Sequence, residues 1–236
     1  MDDTTPLKLK AAAAAVDLVA SGMIVGLGHG STASLAVRRL HQVMLAGRLE
    51  NITGIPCSQQ TETEARALDI PLATLEEHPA IDVTIDGADE VDPELNVIKG
   101  GGGALLREKI VAQASRREVI IVDPSKLSEK LGTRRAVPVE VIPFGWSDQK
   151  RFLESLGAKV TVRQDASGKP FVSDQGNLIL DADFGPIADP AGLAAALKAR
   201  TGIVEHGLFI GLATDVIVGK SAHRVQHLRR ASGGPA

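Results

Sequence analysis

Residues 81–112 read IDVTIDGADEVDPELNVIKGGGGALLREKIVA. The opening IDVTI is a β-branched apolar run, the pattern of a strand buried on both faces. Asp86, Asp89 and Glu90 follow at its carboxyl end, and in open α/β sheets ligands bind at that edge. Lys99 comes next, then Gly100, Gly101, Gly102 and Gly103. A run of glycines is entropically costly and makes sense where the backbone must turn at positive φ or approach a ligand closely. ALLREKIVA then spaces Leu105, Leu106, Ile110 and Val111 with a helical period and sets Glu108 in the early turns of a helix.

Two or three carboxylates, one ammonium, a glycine loop at a helix start and a further carboxylate suit proton transfer beside a carbonyl. One carboxylate moves the proton, the lysine stabilises the oxyanion and the loop amides hold an anion. Singly, each piece is commonplace: an acidic surface loop, a solvated lysine, a flexible linker. Their placement together, between a buried strand and an amphipathic helix, favours a site.

Outward from this stretch the chain alternates helix and strand. Thr5 and Pro6 open a helix that the spacing carries to Gly22. MIVGLG (23–28) is a buried strand, GHGSTA a glycine turn, and SLAVRRLHQVMLAG a second helix. Backbone N–H groups and the helix dipole at such a junction form an anion site, with Ser31 and Thr32 as hydroxyl donors. Ser31 as a plain helix cap is compatible with that reading. Gly28, Gly30 and Ala33 fit a relaxed dinucleotide fingerprint, but no acid closes the next strand, NITGIPCS, which argues against a nicotinamide cofactor. Thr61 and Glu64 read as a capping box for a short helix. LATL (72–75) and REVIIVD (117–123) read as strands, and Lys126 follows the latter on the ligand edge.

From about Arg135 the order becomes strand, helix, strand, strand, helix, strand, that of a ferredoxin-like unit. GLFIGLATDVIVGK then rejoins the first sheet, and HRVQHLRRASGGPA reads as a frayed basic tail. The expected fold is α/β: a mostly parallel Rossmann-like sheet with helices on both faces, plus a smaller inserted ferredoxin-like α+β domain. Residues 1–134 and 207–236 form the first unit and 135–206 the second.

The balance of 26 basic and 29 acidic residues, net charge −3, argues against a nucleic-acid surface. With 3% aromatic residues and no tyrosine, stacking platforms for single strands are lacking. The single cysteine, Cys57, allows no intrachain disulfide, fits a reducing compartment and reads as a buried structural thiol. The alanine-rich stretch is interrupted by Asp17 and is not a membrane span. Asp2 and Asp3 do not make the basic start of a signal peptide, so the cytoplasm is expected. Of the six histidines, His223 and His227 have HxxxH spacing but lie in the tail without an intervening acid at the needed place, so no metal is expected.

DGADEVD followed by KGGGGALLREKI resembles the signature of type A ribose-5-phosphate isomerases. The resemblance extends to GLGHGSTA, VDPSK and EHGLFIGLATDVIVG. It implies interconversion of ribose 5-phosphate and ribulose 5-phosphate through an enediolate, with no cofactor. By resemblance, Glu108 is the base, Asp86 an acid or base on the sugar oxygens, Asp89 a hydroxyl-orienting group and Lys99 the stabiliser of negative charge. Lys8, His29, Gly30, Ser31, Thr32, Gly87, Ala88, the Gly100–Gly102 amides and Lys126 would hold the sugar phosphate. The family commonly carries threonine where this chain has His29. A homodimer or tetramer is implied. Two other classes remain to be separated: a related fold performing amino-sugar-phosphate deamination or coenzyme A transfer, and a non-catalytic sugar-phosphate sensor. The paired central motifs argue against the first, the lack of a basic helix-turn-helix segment against the second.

Overall fold

The computed structural model describes residues 4–230; Asp2, Asp3 and the last six residues of the expected tail lie outside the described residues. α1 (Thr5–Val16) opens the chain with Pro6 in its first turn, where a missing N–H costs nothing. It stops well short of Gly22. Leu18 and Val19 bond back three residues, to Ala15 and Val16 at 3.0 Å each, and the tighter turn drops Val19 into the core.

β1 (Ile24–Leu27), α2 (Ser31–Leu45), β2 (Thr53–Pro56) and α3 (Gln59–Ala67) follow. The expected capping box at Thr61 and Glu64 is not formed. Ser58 caps α3 instead, its Oγ accepting from the Thr61 N–H at 3.0 Å. The Thr61 hydroxyl donates to Gly28 O, and Glu64 is taken by Ser34 and Arg38. LATL makes no strand either. Leu72 forms one bridge to Gly54, and the chain then turns at Thr74, whose N–H is held by the Glu77 carboxylate at 2.9 Å.

β3 (Val83–Gly87), β4 (Glu90–Val91), β5 (Val97–Ile98), α4 (Leu105–Gln113) and β6 (Glu118–Val122) carry the central stretch. β7 (Val137–Val141), α5 (Trp146–Ser155), β8 (Lys159–Val162), β9 (Leu178–Asp183), α6 (Pro190–Lys198) and β10 (Ile203–His206) come next. Their strands form a sheet in the order β10-β7-β9-β8 with every neighbouring pair antiparallel, the ferredoxin-like arrangement. β11 (Leu208–Phe209), β12 (Asp215–Gly219) and β13 (Val225–Arg229) close the chain.

The main sheet has the order β13-β12-β6-β3-β1-β2, parallel throughout except for β13. The expected frayed tail is therefore ordered over 225–229, paired along its length with β12. Both faces of the sheet are covered. Val119 and Ile121 face α1 and α2, while Ile120 and Val122 pack with Val97, Phe209 and Val216 on the other side. This period of two with apolar residues on both faces is what a buried parallel sheet demands. β11, β5 and β4 form a third, small sheet. Among the described residues no helix is long and apolar enough to cross a membrane.

Candidate active site

β6, β3 and β1 are neighbours and run parallel, so the segments that follow them share one edge. There a cleft of about 480 Å³, open mouth included, is lined by Lys8, His29, Gly30, Ser31, Thr32, Gly87, Ala88, Asp89, Lys99, Gly100, Gly101, Gly102, Glu108 and Lys126. The topology thus gathers side chains from both ends of the first half of the chain. Of the residues expected at the site, Asp86 alone does not line the cleft.

Asp86 is the penultimate residue of β3 and is 1% exposed. Its Oδ1 accepts from the backbone N–H of His29 (2.9 Å) and of Gly87 (2.7 Å), and its Oδ2 lies 3.0 Å from Lys99 Nζ. Lys99 also donates to Gly87 O and reaches Glu108 Oε1 at 3.3 Å. Burial alone would pull the lysine down, but Asp86 and Glu108 outweigh it and hold its pKa well above the usual value. Glu108 is 4% exposed and its Oε2 meets no protein donor. Burial, reinforced by Asp86 and opposed by Lys99, pushes its carboxyl up to about 8. Lys99 sits closer to Asp86 than to Glu108, so the ion pair favours Asp86 and leaves Glu108 the carboxylate that readily takes a proton.

Asp89 lies at the cleft, its Oδ2 held by the Gly101 N–H at 2.8 Å. That amide is therefore committed to Asp89. Glu90, grouped with these acids in the sequence reading, turns away from the cleft. Its carboxylate, fully buried, accepts from the backbone N–H groups of Gly132, Arg134 and Arg135, and so fastens a neighbouring loop.

The glycine run is required by space and by backbone angle. Gly103 has φ +84°, and a Cβ there would lie 2.4 Å from the Phe171 ring. A Cβ on Gly102 would lie 2.3 Å from His29 Nε2. The His29 ring closes this wall, with Nδ1 3.0 Å from Ser58 Oγ. Burial lowers its pKa, and Lys99 adds to this against Asp86, so the wall is a neutral imidazole at neutral pH.

At the other end, α2 begins at Ser31 after Gly30 (φ +95°) with no side chain capping its first turn. Ser31 is itself the first helical residue and does not cap. Lys8 Nζ comes within 3.3 Å of Ser31 Oγ. Lys126 ends a single 3-10 turn after β6, set by Asp123, whose carboxylate accepts from the Ser125 N–H at 2.9 Å. Two lysines, two hydroxyls and an open helix start suit a dianion such as a phosphate.

Sequence reasoning missed several groups here. Arg163, following β8, donates through Nη1 to Gly100 O (2.7 Å) and Gly101 O (3.1 Å) while forking onto Asp181. Glu118 is 2% exposed, neither of its carboxylate oxygens meets a protein donor, and burial drives its pKa well up. Cys57 is fully buried, as expected of a structural thiol, and burial raises its pKa well above the ordinary value. Its Sγ, an Asp86 oxygen and a Glu108 oxygen lie within 4.8 Å of one another, a grouping that histidine spacing could not reveal. The Lys99 ammonium already lies against both of those carboxylates.

A family model described as "Ribose 5-phosphate isomerase A (phosphoriboisomerase A)" matches residues 53–223. The chain is 59% identical over 231 residues to a ribose-5-phosphate isomerase A of Chloroflexus aurantiacus, covering 98% of this chain and 96% of that protein. A second, from Desulfatibacillum aliphaticivorans, is 59% identical over 218 residues and covers 92% and 95%. Among solved structures, a D-ribose-5-phosphate isomerase in complex with phospho-erythronic acid superposes with a TM-score of 0.93 at 38% identity, over 98% of this chain and 100% of that one. A ribose 5-phosphate isomerase from Plasmodium falciparum gives 0.91 at 41% identity, over 94% and 97%.

Proposed function

The chain belongs to the ribose 5-phosphate isomerase A family and interconverts ribose 5-phosphate and ribulose 5-phosphate; from that premise we propose that Glu108 is the base and Lys99 the cation that stabilises the enediolate. The observation that carries this is the buried Asp86–Lys99–Glu108 arrangement at the floor of a cleft whose far end is basic. Glu108 takes the proton from C2 of the open-chain aldose, and the C1 carbonyl oxygen gains the negative charge beside the Lys99 ammonium. The same carboxyl returns the proton to C1, while the O2 proton is lost and O1 gains one, giving the ketose.

Asp86, enclosed by two amides and Lys99, acts on the sugar through that lysine by holding it in place and charged. This differs from the sequence expectation that Asp86 works on the sugar oxygens directly. Ring opening and hydroxyl orientation fall to Asp89, which lines the cleft together with Glu108. Lys8, Ser31, Thr32 and Lys126 hold the phosphate. The phospho-erythronic acid bound by the structural relative supports this reading. It is a phosphate ester of a short sugar acid, and its planar carboxylate has the shape and charge of an enediolate. We further propose division into units 1–134 with 207–236 and 135–206, and action as a cytoplasmic homodimer.

Glu108→Gln preserves shape but cannot accept the proton. It should lower kcat by at least about 10²-fold with little change in KM. In heavy water the native chain should place deuterium at C2 of ribose 5-phosphate when run from the ketose, and the variant almost none. Normal turnover and exchange in the variant would move the base elsewhere.

A further inference from the structure

Glu108 belongs to a short helix that follows the glycine loop and starts at Leu105 with no side-chain cap. Something else must fix the rotation of α4 about its axis. The next residue, Lys109, has a side chain only 7% exposed and does not line the cleft. Its ammonium donates to Glu205 Oε1 (2.8 Å), His206 O (2.6 Å) and Leu208 O (2.9 Å), which uses the three protons an ammonium has. Glu205 is held in turn by Lys198 at 2.7 Å and by the His206 N–H at 3.0 Å. His206 Nδ1 accepts from the Leu208 N–H at 3.3 Å, so the neutral ring carries its proton on Nε2.

The same segment grips the other half of the chemistry. Gly207 O accepts from the backbone N–H of Lys99 at 2.9 Å, and a Cβ on Gly207 would lie 2.2 Å from Lys99 O. The Phe209 ring lies against both ammonium groups, with its centroid 4.8 Å from Lys109 Nζ and 5.6 Å from Lys99 Nζ. β11, which contains Phe209, pairs with β5 immediately before Lys99. Residues 205–209 thus touch the strand end that carries the oxyanion lysine and the helix that carries the base.

We propose that Lys109, gripped by the 205–209 segment, is a positioning residue that sets the rotation of α4 and so holds Glu108 in register with Lys99. The inference rests on the reading of Glu108 as base and Lys99 as oxyanion partner. A carboxylate about 6 Å from the helix axis moves about 2 Å when the helix turns by about 20°. Displacements of about 1 Å at a reacting group can cost about 10²-fold in rate.

Lys109→Met keeps the length of the side chain and removes the three donors. In the folded variant kcat should fall about 10- to 10²-fold. KM for ribose 5-phosphate and inhibition by inorganic phosphate should stay within about twofold, because the basic end of the cleft is untouched, while phospho-erythronic acid should bind more weakly. Lys109→Met removes one of the two lysines that hold Glu205; should it not fold, Phe209→Leu decides, with a kcat loss of about threefold or more and unchanged phosphate inhibition. An unchanged kcat in the folded variant, or a kcat loss matched by equal weakening of phosphate, overturns the proposal. Glu108→Gln run alongside separates the two readings. An inactive Glu108→Gln with a fully active Lys109→Met removes the clamp alone, whereas an active Glu108→Gln removes the base assignment beneath it.

Discussion

At the scale of the residue, two opposed influences act on Glu108. Its place in the first turn of α4 favours the ionised form through the helix dipole. Burial and the neighbouring Asp86 favour the protonated form, and they prevail over Lys99 to bring the carboxyl to about 8. A base works only when ionised, so kcat/KM should rise with pH through that raised value and fall below it. The substrate phosphate has its own ionisation at about 6, so a limb above about 7 belongs to the enzyme. Flat kcat/KM between about 6.5 and 9 would show that burial does not control this group. Lys99, Asp89 and Glu108 were legible in the sequence because strand, loop and helix follow one another within one short stretch. Lys109 was not: beside a glutamate on a helix it reads as a solvated lysine, and only the return of the chain at 205–209 buries it.

At the scale of the element, the glycine loop illustrates how two sheets share one site. Its carbonyls at Gly100 and Gly101 accept from Arg163, which directly follows β8 of the ferredoxin-like sheet and is itself locked onto Asp181. With the carbonyls pinned on one side, the loop backbone presents a fixed opposite side to the cleft. Arg163→Ala should raise KM for the sugar phosphate about tenfold, as expected for losing a pair of charge-assisted hydrogen bonds, and lower kcat less. Arg163→Lys should not restore KM, since an ammonium cannot grip Asp181 with a fork and reach both carbonyls. Steady-state kinetics with unchanged KM would mean that the loop holds its shape unaided. Nothing in the sequence around Arg163 pointed to this contact, because it spans 62 or 63 residues and two sheets. The misread tail has a different cause. β13 is an edge strand that is mostly exposed, so its polar, basic composition reads as a solvated segment although one side of its backbone pairs along its length with β12.

At the scale of the whole molecule, the main sheet is completed only after the strands of the β10-β7-β9-β8 sheet, when β12 pairs with β6. Asp215 at the start of β12 marks that junction. Its side chain, 4% exposed, accepts both arms of Arg117 at 2.8 Å each, the Thr214 hydroxyl at 2.8 Å and His227 Nε2 at 2.6 Å. One carboxylate therefore joins the approach to β6, the returning strand and the edge strand. Burial would raise its pKa, but Arg117, Thr214 and His227 outweigh burial and hold it below the ordinary aspartate value. For an acid whose folded pKa is depressed, the added stability is complete above the unfolded value, about 3.9, and is lost as pH falls through the folded one. Asp215→Asn keeps the shape and removes the charge. At neutral pH it should cost about 2 kcal/mol, as for hydrogen bonds to a charged group, or roughly 4–8 °C in Tm for a chain of this size. The gap in Tm between native chain and variant should then begin to narrow as pH drops below about 4, because there the unfolded chain takes up a proton at this aspartate while the folded one stays ionised. Thermal unfolding of both proteins from pH about 7 down to about 3 tests this. A gap that stays constant with pH would show that the sheet is closed at this junction by shape and not by the charge on Asp215.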